Sequence, residues 1–229
     1  MDSRQQKLLT LVIENYIATA EPVGSRFLVE KAGLDWSEAT VRNELRALEE
    51  DGYLTHPHTS AGRIPTTKGY EHYLRQLNLG AGNPSRKDSE LLQEAYQAYN
   101  DFERAMKNVA KKLVEVSDEA VLIAFSPEKV YYTGLANLFE KPDFEEIKQI
   151  ATVSEAFDNS EECLPDFFRK VKNDEPNIFL GDDHPFGSML SVVASRFGVE
   201  NKSLIVLLGP QRMNYKKNWS LIHKIIEII

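Results

Sequence analysis

Hydrophobic positions recur at helical spacing from the first residues of the chain. Leu9, Val12, Ile13, Tyr16 and Ala20 share one face and predict a helix over Arg4 to Ala20. Glu21-Pro22-Val23-Gly24 breaks it, Ser25 can cap a second helix running through Lys31, and Gly33 ends that one. A third helix begins after Ser37, whose hydroxyl accepts from the free N–H groups of a first turn, with Trp36 and Val41 spaced as a hydrophobic staple. At about 100° per residue, Val41, Leu45 and Leu48 fall on one side, and Ala39, Arg42, Asn43, Arg46 and Glu50 on the other. Gly52 suits a left-handed helix end. Tyr53 to His56 then alternate as a short strand, His58 to Gly62 supply turn residues, and Arg63-Ile64 return before Pro65 stops the pairing. Thr66 or Thr67 caps a fourth helix carrying Tyr70, Tyr73, Leu74 and Leu77.

The pattern then changes twice. Gly80 to Ser85 reads as a linker, and Lys87 to Ser117 carry a heptad seam of Leu92, Ala95, Tyr99, Phe102, Met106, Val109, Leu113 and Val116. That seam can pair with a twin, making Tyr99, Phe102, Met106, Val109 and Leu113 dimer candidates, or pack within one subunit. From Asp118 onward the reading is mixed α/β. Strands are expected at Ala120 to Phe125, Val130 to Ala136, Ile178 to Leu180, Leu190 to Phe197 and Leu204 to Leu208. Helices are expected at Asp143 to Phe157, Cys163 to Val171 and Tyr215 to Ile229. The expected organisation is a first domain over 1–79, a linker over 80–86, a heptad-patterned helix over 87–117 and a second domain over 118–229, an α+β class overall.

Two helices, a capped third helix and a hairpin make a winged helix-turn-helix, and the outward face of its third helix suggests the chemistry. Arginine pairs with guanine and asparagine with adenine in the major groove, so Ala39, Arg42, Asn43 and Arg46 are the candidates for base edges. Ser25, Arg26, Ser37 and Thr40 lie near helix starts, where hydroxyls and free N–H groups can hold phosphate. The same residue types also serve as plain caps. His58, Thr59, Ser60 and Arg63 on the wing and Lys68 beyond it complete the expected contacts, with Arg63 placed for a narrow minor groove. Three acids, Glu49 to Asp51, mark the helix end expected to point away from phosphate.

Composition modifies this picture at one point. The 229 residues are 42% hydrophobic and 27% charged, ordinary for a globular chain. The net charge of −8 opposes duplex DNA. Residues 1–79 hold nine Lys plus Arg against eleven Asp plus Glu, and the remainder holds 18 against 24, so the first domain is near neutral rather than basic. Binding must then rest on local placement of cations, and affinity for random DNA is expected to be modest. No apolar run is long enough for a membrane span and the polar start is no signal peptide, so a cytoplasmic location and no membrane contact are expected. Cys163 alone allows neither a disulfide nor a zinc cluster and is expected in packing.

His56, His58 and Asp182-Asp183-His184 invite a metal site, but supporting ligands are lacking and no metal or cofactor is expected. No nucleophile elbow or phosphate-cradling glycine loop occurs, so no enzyme activity is expected.

The words EPVGS at Glu21 to Ser25, ATVRNELRALEEDGYL at Ala39 to Leu54 and HTSAGRIPTTKGYEHY at His58 to Tyr73 resemble the winged-helix domain of the bacterial heat-shock repressor family HrcA. GLANLFEKPDF at Gly134 to Phe144, IFLGDDHPFGSMLSVVASRF at Ile178 to Phe197 and GPQRMNY at Gly209 to Tyr215 resemble its GAF-like second domain. The resemblance implies a repressor of chaperone genes that binds double-stranded DNA at an inverted repeat as a homodimer, with activity tied to the chaperonin. It departs from the family between the first two strands of the second domain, where members carry a long segment with an inserted dimerisation domain and this chain has only Ser126 to Lys129. The heptad helix and the Ile-rich last helix are then expected to take over dimerisation. Gly134, Asn137, Asp182, Asp183, Arg212 and Tyr215 from the family words either line a ligand pocket or satisfy turns, the second being favoured. A ligand-responsive regulator of other genes and a winged helix that binds proteins are the alternative readings.

Overall fold

The computed structural model describes all residues except Ala32, Leu34, 59–60, Glu145 and 199–202. The chain divides into two compact units, Met1–Leu77 and Asn78–Ile229.

The first unit opens with α1 (Ser3–Thr19), started by a capping box in which Asp2 accepts from the backbone of Arg4 and Gln5 while the Gln5 side chain returns to the Asp2 N–H. Leu8, Leu9, Val12 and Ile13 are its buried face. It packs on α3 (Glu38–Glu50), where Ser37 is the N-cap through Thr40 N and where Val41, Leu45 and Leu48 are buried as the periodicity predicts. Between them lies the short α2 (Ser25–Lys31). Gly52 at φ +77° carries the chain off α3 in the left-handed conformation expected of it.

The wing is shorter than its sequence pattern. β1 (Leu54–Thr55) pairs antiparallel with β2 (Ile64–Pro65), and Pro65 lies opposite Leu54 in the ladder rather than beyond it. A third segment joins. Val23 pairs with Arg63 through both backbone bonds, N to O at 2.9 Å and 2.8 Å, so the segment read as a helix breaker is also a sheet partner. A Cβ on Gly62 would meet the Val23 carbonyl carbon at 2.6 Å, which reserves this close approach for glycine. α4 (Thr67–Gln76), capped by Thr66, buries Tyr70 and Tyr73 and closes the unit.

In the second unit the heptad stretch is two helices, α5 (Arg86–Gln97) and α6 (Phe102–Ser117), rather than one. Asp101 restarts the helix by accepting from Arg104 N, and the pair folds into an antiparallel hairpin. β3 (Ala120–Ser126) and β4 (Lys129–Thr133) form a hairpin across the short turn. The Gly134 word then starts a helix, α7 (Leu135–Phe139), where a strand to Ala136 was expected. α8 (Ile147–Asp158) and α9 (Ser160–Lys170) follow, then β5 (Asn177–Leu180), β6 (Leu190–Phe197), β7 (Ser203–Pro210) and α10 (Tyr215–Ile228).

The five strands form one antiparallel sheet in the order β4-β3-β7-β6-β5. Both its faces are covered, which is why β3, β6 and β7 read as nearly continuous apolar runs instead of alternating ones. Leu122, Val192, Ala194, Leu204, Val206 and Leu208 face a cluster with Phe144, Val153, Phe157, Leu164, Phe167 and Phe186. The alternate residues Val121, Ile123, Val193, Ile205 and Leu207 are equally buried, and contacts of α6 with β3 and of α10 with β6 cover that side. Met106, Val109 and Leu113 lie in this core, each at most 2% exposed. They are therefore unavailable to a partner, and the dimer reading of these three is corrected to packing within the subunit. Tyr99 and Phe102 remain 48% and 39% exposed. Cys163 is also corrected: it is exposed, because the buried positions of its helix go to Leu164 and Phe167.

Candidate nucleic-acid interface

α3 holds the predicted face outward. Ala39, Arg42, Asn43 and Arg46 are all exposed, the two arginine side chains by 69% and 75%. Neither arginine is idle. Arg42 Nη2 donates to Glu38 Oε1 at 2.6 Å and Arg46 Nε to Glu50 Oε1 at 3.0 Å, both across one helical turn. Such exposed pairs contribute about 0–1 kcal/mol, so either guanidinium can leave its carboxylate for a stronger acceptor. Arg26 on α2 is held the same way by Glu30 at 2.8 Å, and that hydrogen bond raises its pKa above the usual guanidinium value.

Residues expected at phosphate divide between capping and free positions. Ser37 and Thr40 spend their hydroxyls on the α3 cap, with 2.9 Å between their oxygens. The Ser25 hydroxyl donates to Glu38 at 3.2 Å, tying α2 to the start of α3. His58 is exposed, while Thr59 and Ser60 lie outside the described residues. Lys68 does more than project: its Nζ donates to the Asp51 carbonyl at 2.7 Å and sits 4.5 Å from the centre of the Tyr53 ring, so it caps the C-terminus of α3.

Arg63 departs most from expectation. Its side chain is 23% exposed, and Nη2 binds Glu49 Oε2 at 2.8 Å while Nη1 reaches the Ala61 carbonyl at 3.4 Å. Backbone pairing with Val23 turns its side chain toward α3, so it is a strut at the wing base and not a free guanidinium at the tip. Glu49 also holds the Nδ1 of His56, so one carboxylate joins the last turn of α3 to both arms of the hairpin. From its position in sequence Glu49 is only part of an acidic helix end facing away from DNA. Its partners stand seven and fourteen positions away and meet it through the hairpin, beyond any helical spacing rule. Between α2, α3 and the wing lies a cleft of about 330 Å³ lined by Gly24, Ser25, Arg42, Gly62 and Arg63.

The family-word residues of the second unit are tied into its fold. Arg212 binds Asp143 through Nε and Nη2 at 2.8 Å and 2.6 Å, Asn137 donates to Asp118 at 3.2 Å, and the buried Tyr215 hydroxyl meets Ser191 at 2.9 Å. His184 is buried with Nδ1 accepting from Phe186 N, and Nε2 is 3.0 Å from the Leu190 carbonyl. Burial lowers its pKa and keeps it neutral, a structural histidine. Among the described residues no group of His, Cys, Asp or Glu is arranged to hold a metal ion. No helix among them is long and apolar enough to cross a membrane.

A capped helix with an exposed arginine face, a hairpin beside it and a separate GAF-like α/β unit define a winged-helix protein of the transcription-regulator class. Residues 14–73 match the ribonuclease R winged-helix domain model, and residues 75–218 match the HrcA protein C-terminal domain model. The chain belongs to the HrcA family. It is 40% identical over 129 residues to the heat-inducible transcription repressor HrcA of Pelotomaculum thermopropionicum, covering 56% of this chain and 36% of that one. A 42% match over 142 residues to the repressor of Acetivibrio thermocellus covers 62% of this chain and again 36% of the relative. These matches span about a third of the relatives' length. The repressor of Thermodesulfovibrio yellowstonii is 24% identical over 331 positions, covering 97% of this chain and 95% of its own. That alignment is longer than the 229 residues present here, so a stretch of the relative has no counterpart in this chain. A crystal structure of a hypothetical protein, 16% identical, covers 99% of this chain and 97% of its own with a TM-score of 0.75, which establishes the shared fold alone.

Proposed function

We propose that this chain is a sequence-specific repressor that binds an inverted-repeat operator of heat-shock or chaperone genes. The observation that carries this reading is the exposed arginine face of α3 beside a buttressed wing, in a chain whose relatives are named heat-inducible repressors. Arg42, Asn43 and Arg46, with Ala39 allowing close approach, read base edges in the major groove. The cleft lined by Ser25, Arg42 and Arg63 receives a backbone phosphate, and His58 with the wing tip lies along the neighbouring groove. Lys68 serves α3 first as a cap and reaches phosphate only by leaving the Asp51 carbonyl.

Two half-sites require two heads, so the protein acts as a dimer. Of the five residues proposed for that contact only Tyr99 and Phe102 remain exposed to make it. No catalytic step is assigned to any residue. Chaperonin control, implied by the family resemblance, remains a separate proposal that pull-down with the purified chaperonin tests directly.

The operator reading is tested by competition titration of the full chain on an inverted-repeat duplex against a scrambled duplex of equal length at physiological salt. Preference for the repeat by at least about 10³ is the expected result. Equal affinity for the two duplexes refutes it.

A further inference from the structure

The second unit contains a cavity lined by none of Gly134, Asn137, Asp182, Asp183, Arg212 and Tyr215. It measures about 700 Å³ and is bounded by Tyr96 on α5, Phe102 at the start of α6, Phe197 at the end of β6 and Ile226 on α10. Small-molecule sites occupy roughly 300–1,000 Å³ and combine apolar walls with a few placed polar groups. The walls here are aromatic and aliphatic. Phe102 packs on Phe125 and Phe197 with ring centres 6.4 Å and 6.3 Å away, yet is 39% exposed, so one side of an otherwise anchored ring is left uncovered.

Two polar residues also line the cavity. Ser203, the first residue of β7, lines the cavity and is only 8% exposed. Its hydroxyl can donate to or accept from a polar atom of a ligand. Asp174 also lines the cavity. Its backbone N–H donates to the Arg196 carbonyl at 3.1 Å and it adopts φ 54°, so β6 holds its main chain beside the opening. No ion pair is made by that carboxylate among the described residues.

From these features we propose that the cavity binds a small amphipathic molecule with a flat apolar body and a cationic or hydrogen-bond-donating head. The body lies against Phe102, Phe197 and Tyr96, the head faces Asp174, and Ser203 bonds a polar atom between them. An anionic head is disfavoured because Asp174 stands at the opening without a compensating cation. This site uses none of the DNA-contacting residues of the first unit, but it shares Phe102 with the proposed dimer contact.

The test uses the full chain and Nile red, a neutral apolar dye, followed by displacement with 2-phenylethylamine or phenylacetate, which differ in head charge. Expected are one saturable dye site and displacement by the amine at about tenfold lower concentration than by the acid, the effect of one favourable charge contact. Asp174→Asn, at an exposed position that leaves folding intact, should erase the difference between the two displacers. Ile226→Trp should fill the cavity and abolish dye binding while the melting transition by circular dichroism is retained. Absence of saturable dye binding to the wild-type chain overturns the proposal. So does equal displacement by amine and acid, or unchanged dye binding in a folded Ile226→Trp variant.

Discussion

Arg42 and Arg46 carry their charge on the solvent side of α3, each restrained by a single carboxylate one turn away. A guanine edge offers two acceptors in the plane of the guanidinium, so replacement of either arginine by alanine should cost about 1–3 kcal/mol on the operator and relax one base position. Competition titration against single-base operator variants reads both effects. Equal loss on scrambled DNA would move these residues from base reading to phosphate contact. Glu119 is the other residue with a readable consequence. It is buried beside Lys141 at 2.9 Å, and burial, opposed in part by that lysine, pushes its carboxyl up to about 7 from the usual 4.5. The folded state therefore holds this proton more tightly than the unfolded chain does. The stabilisation is fully present below pH 4.5 and is lost as pH rises through about 7. Wild type should lose more melting temperature between pH 5 and pH 8 than Glu119→Gln does. Parallel pH profiles for the two proteins would show that Glu119 does not titrate in this range.

At the scale of elements, the wing and the α5–α6 hairpin illustrate how short segments depend on their neighbours. A two-residue ladder cannot hold a hairpin alone. This one is held by the Val23 backbone, by the close approach at Gly62 and by Glu49 bridging His56 and Arg63. Gly62→Ala should therefore force the Pro22-Val23 segment back, destabilise the first unit by about 1–3 kcal/mol and weaken operator binding with it. Thermal melting and titration of the same variant check this; an unshifted melt would mean that the segment yields freely. For α6, Met106→Ala removes a side chain with no exposed surface and should cost about 2–5 kcal/mol. Because Met106 faces its own sheet and not a partner, the loss should appear in melting temperature while the solution mass by light scattering stays unchanged. Dissociation at constant melting temperature would return this helix to the interface.

Over the whole molecule, charge sets the terms of association. A chain of net −8 has little long-range attraction for a polyanion. Non-specific affinity should be weak and close to abolished between about 50 and 200 mM salt, with specific binding surviving through a small number of placed arginines. Fluorescence anisotropy on random duplex across that range measures it; strong binding at the upper limit would require a basic surface that the residue counts do not provide. The surplus of acid is greater in the second unit, which is consistent with confining DNA contact to the first.

Periodicity and capping are local, and the sequence by itself determined what depends on them: the four helices of the head, the Ser37 cap, the exposed arginine face and most strands of the second unit. Contacts between residues distant in sequence needed the tertiary structure. It turned Arg63 inward, because pairing with Val23 fixes which way that strand faces, and it recruited Glu49 as a wing strut across the hairpin. It also resolved the heptad seam. A repeat of apolar residues states that a face will be buried but not against what, and here a five-stranded sheet of the same chain covers it. The cavity bounded by Phe102, Phe197 and Ile226 has the same origin: its walls come from segments far apart in sequence, and only packing brings them together.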